Sequence, residues 1–156
     1  METFLVVGLG NPGSRYANTR HNAGTDFVHM LCEKYDVELT EKKKYKASIG
    51  KFLLKDMEVI LSIPTLFMNQ SGKSVAPTVK GENIKLKNLL VVHDDLDLPP
   101  GVSKLKFSGG DGGHNGLKDI MQSLSGKKDF KRLRIGYRSS RRHKKSEFFC
   151  GKKRLF

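Results

Sequence analysis

The sequence predicts an α/β fold, a single domain in which a mixed β-sheet is flanked by helices. Three observations predict it. Short apolar runs at 4–7 and 89–92 read as buried strands. Phe27, Leu31 and Tyr35 recur every four residues, as one face of a helix does. Two further strand-like stretches are joined by only a polar turn at Lys55-Asp56, so the sheet also contains an antiparallel hairpin.

The elements follow in order. The strand at 4–7 closes in the turn Gly8-Leu9-Gly10-Asn11-Pro12-Gly13. Asn22 is a candidate cap for a helix running to about Tyr35. The hairpin strands span 45–54 and 57–63, and Pro64 ends the second. A helix starts near Asn69, with Pro77 expected to break or kink it. The strand at 89–92 ends at His93-Asp94-Asp95. A short strand at 104–107, a helix at 117–124 and a last strand at 133–136 complete the alternation, and no internal repeat is present. From Arg138 to Phe156 apolar periodicity is slight, and no element is expected.

A chain of 156 residues is long enough for one core without disulfide staples. Cys32 and Cys150 make neither a framework nor a metal-ligand pattern, which suits a reducing compartment. No basic-then-apolar leader is seen, and no apolar run approaches membrane length. A soluble, cytoplasmic protein is expected. The net charge of +13 is unevenly spread. Residues 127–156 carry 13 Lys/Arg against Asp129 and Glu147, a net of +11, whereas residues 1–126 carry a net of only +2. Such a segment attracts polyanions, nucleic acid first, or is simply a solvated tail.

The motifs narrow the chemistry. Gly8-x-Gly10-x-x-Gly13 matches a dinucleotide fingerprint, but Pro12 and the polar run 14–19 open no helix, and no acidic residue follows at ribose distance. Gly72-Lys73-Ser74 lacks the first glycine of a phosphate-binding loop, since Phe67 occupies its place. No Gly-x-Ser-x-Gly elbow occurs, and Cys32 falls inside an amphipathic helix. A hydrolase of this composition would use water as the attacking group. His21 has the right unperturbed acidity to activate it, provided a carboxylate fixes its tautomer. Three acids, Asp94, Asp95 and Asp97, stand at the end of a buried strand. With His21, His93 and His114 they also raise the possibility of a metal site, although no familiar ligand spacing is present. The loop 109–116, Gly-Gly-Asp-Gly-Gly-His-Asn-Gly, leads into a helix whose backbone N–H groups suit an anion or a developing oxyanion. Asn11, Asn69 and Asn115 stand at segment ends, where amides suit a substrate rich in peptide groups.

Taken together, Gly-Leu-Gly-Asn-Pro-Gly, Thr19-Arg20-His21-Asn22, Phe67-Met68-Asn69-x-Ser71-Gly72, His93-Asp94-Asp95-Leu96-Asp97 and Gly112-Gly113-His114-Asn115-Gly116 resemble the bacterial-type peptidyl-tRNA hydrolase family. The resemblance runs from about Phe4 to Gly136, with the motifs in family order and spacing. It implies one α/β domain with a mixed sheet, no cofactor and no metal. It also implies hydrolysis of the ester between a peptide and the terminal ribose of tRNA, which recycles tRNA from abandoned translation. His21 would be the general base and Asp94 its supporting carboxylate. Asn11 would distinguish a blocked peptidyl group from a free aminoacyl group. Met68, Asn69 and Asn115 would line the cleft for peptide and terminal adenosine. Tyr16 and Phe67 match tRNA-contact positions, and Lys106 and Arg134 match the pair that holds the tRNA 5′-phosphate. The family also suggests a monomer.

The end of the chain departs from the family pattern. Residues 1–137 read as the hydrolase-like domain, and 138–156 as an atypical basic tail. A continuation into the family's C-terminal helical region is faintly visible at 146–153, where Lys145, Phe149 and Cys150 replace smaller or aliphatic residues. The expectation is a truncated or frame-altered terminus. Against the esterase stand a second reading, an RNA-binding protein on the same fold without catalysis, which the retained His21 and Asp94 argue against, and a chain disabled by its altered C-terminus.

Overall fold

The computed structural model describes residues 1–12 and 22–136, together with the backbone of 149–150 and 153–154. Among the described residues nine strands form one sheet, in the order β2-β3-β4-β1-β5-β7-β6-β8-β9. They are β1 (Glu2–Gly8), β2 (Thr40–Lys42), β3 (Ala47–Leu54), β4 (Met57–Pro64), β5 (Leu89–Asp94), β6 (Ser103–Phe107), β7 (Lys131–Ile135), β8 (Phe149–Cys150) and β9 (Lys153–Arg154). The centre is parallel: β1 pairs with β4 and β5, and β5 with β7. The flanks are antiparallel, through β2–β3–β4 on one side and β6–β7 on the other. The mixed sheet expected from the hairpin is therefore present.

The helices divide between the two faces. α1 (Ala23–Tyr35) covers one, burying Phe27, Val28 and Leu31 against Val6, Leu61, Val92 and Leu133. α2 (Gly72–Gly81) and α3 (Asn115–Ser123) cover the other, where Val75, Leu117 and Ile120 meet Leu5, Val7, Ile60, Leu89 and Val91. The central strands are buried on both faces, which is why they read as continuous apolar runs rather than alternating ones. No described helix is long and apolar enough to cross a membrane.

Three local expectations change. α2 runs through Pro77 to Gly81, and Pro77 does not end it. The missing N–H is tolerated because the buried flanks Val75 and Thr78 anchor that turn, where Thr78 Oγ1 donates to the Ser74 carbonyl at 2.8 Å. Asn22 does not cap α1 with its side chain; its Oδ1 instead accepts the Asn11 N–H at 2.9 Å. Within the basic C-terminal stretch, where no element is expected, β8 and β9 form a two-residue antiparallel pair, and β8 joins β6 through Ser103 and Cys150.

Close backbone approach brings α1 to the sheet's C-terminal edge. A Cβ on Gly24 would sit 2.2 Å from the Val92 carbonyl oxygen, and one on Gly8 would sit 2.3 Å from the Gly24 oxygen. Only glycine at both positions lets the start of α1 touch the ends of β1 and β5. That contact sets Asn22 beside the loop after β1.

Candidate active site

The carboxyl ends of parallel strands, where side chains from successive loops converge, are the usual location for chemistry in an open α/β sheet. Here β1 delivers Asn11 and β5 delivers His93, Asp94 and Asp95. The glycine-rich loop before α3 delivers His114 and Asn115. Two adjoining cavities lie there. One, of about 490 Å³, is lined among others by Asp94, Asp95, Lys106, His114, Asn115 and Arg134. The other, of about 520 Å³, is lined by Asn11, Phe67, Met68, Asn69, Gln70 and Asn115. Asn115 borders both.

His114 is tied to Asp94. Its Nε2 lies 2.8 Å from Asp94 Oδ1, with the two side chains 8% and 5% exposed. Its Nδ1 accepts the backbone N–H groups of Gly116 at 3.1 Å and Leu117 at 3.3 Å, so the imidazole itself caps α3. The network assigns the neutral tautomer, with the proton on Nε2 donated to Asp94. Both nitrogens are thereby engaged. This partnership was missed at the sequence level because histidine is not a usual capping residue. Its signal was only its place directly before the helix.

His93 is engaged differently. Its Nδ1 donates to the Asp94 carbonyl at 2.7 Å, and its ring meets the His114 ring edge-on with centroids 4.8 Å apart. Its Nε2 is buried with no partner among the described residues. Burial above all, and then the neighbouring His114, hold its pKa down at about 4 against opposing contributions from Asp94 and Asp95. It is a neutral wall of the site. Among the described residues no three His, Cys, Asp or Glu side chains converge as a metal would require.

The amides are placed by the loops. Asn11 Oδ1 accepts the Met68 N–H at 2.7 Å, which joins the loop after β1 to the turn Met68–Gln70. With its oxygen engaged, Asn11 has an Nδ2 group with two donors to offer. Met68 is buried, and its Sδ fills the space that a side chain on Gly116 would need, 2.7 Å from the Cβ position. Phe67 is 51% exposed at the rim, and Asn69 and Asn115 are exposed toward the cleft. Asp119 Oδ2 accepts the Gly72 N–H at 2.7 Å and so locks the start of α2 to α3.

The basic residues share one face of the β6–β7 pair. Lys104 is in register with Arg134 and Lys106 with Arg132, so these four side chains lie on the α3 side. Arg132 is buried; its guanidinium donates to the carbonyls of Gly110 at 2.6 Å and Lys128 at 2.9 Å and stacks on Phe130. It ties the glycine loop to β7. Arg134 Nε donates to Asp95 Oδ2 at 2.7 Å. Thus Asp94, Asn11, Met68, Asn69, Asn115, Phe67, Lys106 and Arg134 of the expected set all border the two cavities. The expectations for His21 and Tyr16 lie outside the described residues.

Comparison with known proteins places these observations in a family. The model of the family described as "Peptidyl-tRNA hydrolase" matches residues 5–152. The peptidyl-tRNA hydrolase of Pseudoalteromonas translucida is 52% identical over 132 residues, 85% of this chain and 68% of that protein. That of Tolumonas auensis is 54% identical over 132 residues, 85% of this chain and 67% of that protein. The crystal structure of the enzyme from Acinetobacter baumannii superposes with a TM-score of 0.82 at 46% identity, covering 88% of this chain and 70% of the other.

Proposed function

Since the chain belongs to the peptidyl-tRNA hydrolase family, we propose that it cleaves the ester between peptide and tRNA with a water activated by His21 and Asp94. It is an enzyme that hydrolyses peptidyl-tRNA. The observation that carries the residue assignment is the occupancy of the other histidines near Asp94. His114 uses both nitrogens and His93 is buried, so neither is available to take a proton from water. His21 directly precedes Asn22, which is held to Asn11 at the rim of the second cavity.

In this reading His21 accepts a proton as water attacks the ester carbonyl carbon. Asp94, whose Oδ1 is already fixed by His114, stabilises the resulting imidazolium. The tetrahedral intermediate collapses by breaking the bond to the ribose oxygen, and His21 returns its proton to that leaving group. Free peptide and tRNA result. No metal enters these steps, and we place the enzyme in the cytoplasm as a monomer.

The amides explain selection of the blocked substrate. Asn11 presents only donors, because Met68 holds its oxygen. The carbonyl of a peptide bond accepts from such a group, whereas a free α-ammonium offers only further donors and is repelled. Asn69 and Asn115 line the path for the peptide and the terminal adenosine, with Met68 as the apolar wall and Phe67 and Tyr16 contacting tRNA. Lys106 and Arg134 receive the 5′-phosphate, so tRNA is recognised by shape and phosphate rather than by base sequence.

The deciding experiment is release of the acyl group from N-acetylaminoacyl-tRNA, beside unblocked aminoacyl-tRNA and a His21→Ala variant. Cleavage of the blocked substrate alone, lost in the variant, is expected. Tight tRNA binding without cleavage by the unaltered chain would instead establish a non-catalytic RNA-binding protein.

A further inference from the structure

We propose that Asp95 is a specificity-positioning residue: by holding Arg134 through Nε it aims the two terminal nitrogens of that guanidinium at a phosphate monoester in the cavity. The inference rests on the reading of Lys106 and Arg134 as the 5′-phosphate site.

Asp95 is itself fixed at every polar atom that the contact requires. Its Oδ2 takes Arg134 Nε at 2.7 Å, its Oδ1 takes the Asp97 N–H at 2.9 Å, and its own N–H donates to the Ile135 carbonyl at 2.8 Å. The carboxylate cannot rotate without losing one of these bonds. The side chains of Asp95 and Arg134 are 15% and 28% exposed, so the pair is sheltered while the cavity remains open to one side. With Nε spent, the two Nη groups form the remaining edge of the planar fork, the edge that meets two phosphate oxygens at once.

Charge alone does not make this cavity attract anions. Asp94, Asp95, Asp97 and Asp111 line it against Lys106, Arg132 and Arg134, and Arg132 is buried on backbone carbonyls. Among the described residues, four carboxylates against three cations disfavour an RNA phosphate that merely drifts in. A terminal phosphate carrying nearly two charges and three free oxygens, held by Lys106 and by an aimed Arg134, overcomes that background. Aim therefore supplies the selectivity. Because β5 and β7 pair His93 with Arg134 and Asp94 with Ile135, the phosphate edge is fixed relative to the catalytic carboxylate by one strand ladder.

The test compares kcat/KM for N-acetylaminoacyl-tRNA bearing a 5′-phosphate with that for the same substrate bearing a 5′-hydroxyl. Asp95→Ala is expected to lower this ratio at least threefold, through a higher KM for the phosphorylated substrate. Asp95→Asn keeps an acceptor of the same size and is expected to retain most of the ratio. If the carboxylate acted only as a repelling charge, both variants would raise the ratio, and the proposal would be overturned. In an Arg134→Lys background, Asp95→Ala is expected to have no further effect; an equal additional loss would also overturn it. Should Arg134→Ala and Lys106→Ala both leave the ratio unchanged, the phosphate site itself is misplaced, a failure distinct from that of Asp95.

Discussion

His114 Nε2 donates to Asp94 Oδ1 at 2.8 Å, while its Nδ1 closes the first turn of α3. One imidazole thus holds the carboxylate proposed for catalysis and the helix that presents Asn115. His114→Ala should act on both. Losing the cap and leaving Asp94 without one partner costs about 1–3 kcal/mol of stability. The same loss of orientation lowers kcat/KM by roughly 10- to 100-fold. Thermal unfolding and steady-state kinetics measured together check this, and unaltered kcat/KM would remove His114 from the site's support.

His93 gives a pH dependence with a definite sign. Its pKa is about 4 in the folded protein and near 6.5 when unfolded. Between these values the unfolded chain binds the extra proton, so stability falls as pH drops from about 6.5 toward 4 and is unaffected by this group above that window. The difference corresponds to about 3 kcal/mol at full protonation. Urea unfolding at pH 7 and pH 4.5 should show it. His93→Asn, which keeps a donor for the Asp94 carbonyl, should lose less stability over the same interval.

The two neighbouring histidines show what the sequence disclosed and what it withheld. Strand ends and the glycine loop were legible because apolar runs and turn residues reflect local backbone preferences. The positions of Asp94, Asn11 and Asn115 followed from those ends. The role of the His114 imidazole did not follow, because its tautomer depends on a partner 20 residues away in the chain. Arg132 illustrates the same limit: it counted as one more basic residue in a charged segment, yet it is 1% exposed and bonds two carbonyls. The helix-breaking tendency of Pro77 is outweighed by the buried flanks of α2, which continues to Gly81.

Asp119 joins the two helices that border the cleft. Its carboxylate accepts the first N–H of α2, and a Cβ on Gly72 would stand 2.2 Å from Ser123 Oγ, so the helices meet closely there. Asp119→Ala removes a charge-assisted bond at a helix N-terminus and should cost about 1–2 kcal/mol. Because the turn carrying Asn69 leads directly into α2, KM should rise more than kcat falls. A variant that unfolds earlier but keeps its KM would make the bond purely structural.

Asn11 offers the sharpest test of substrate selection, because its two side-chain ends have different tasks. Oxygen serves the fold by taking the Met68 N–H, and in the proposed reading nitrogen meets the substrate. Asn11→Asp keeps the first bond and replaces two donors by an acceptor, so the Met68 turn should stay in place while the preference changes. The peptide carbonyl then loses its donor, and a free α-ammonium gains a partner. A single such exchange is worth about 1–3 kcal/mol. The ratio of kcat/KM for N-acetylaminoacyl- over aminoacyl-tRNA should therefore fall by roughly 5- to 150-fold, mainly because the blocked substrate is cleaved more slowly. An Asp variant that retains the full ratio would show that the blocked amino group is read by another residue of the cleft.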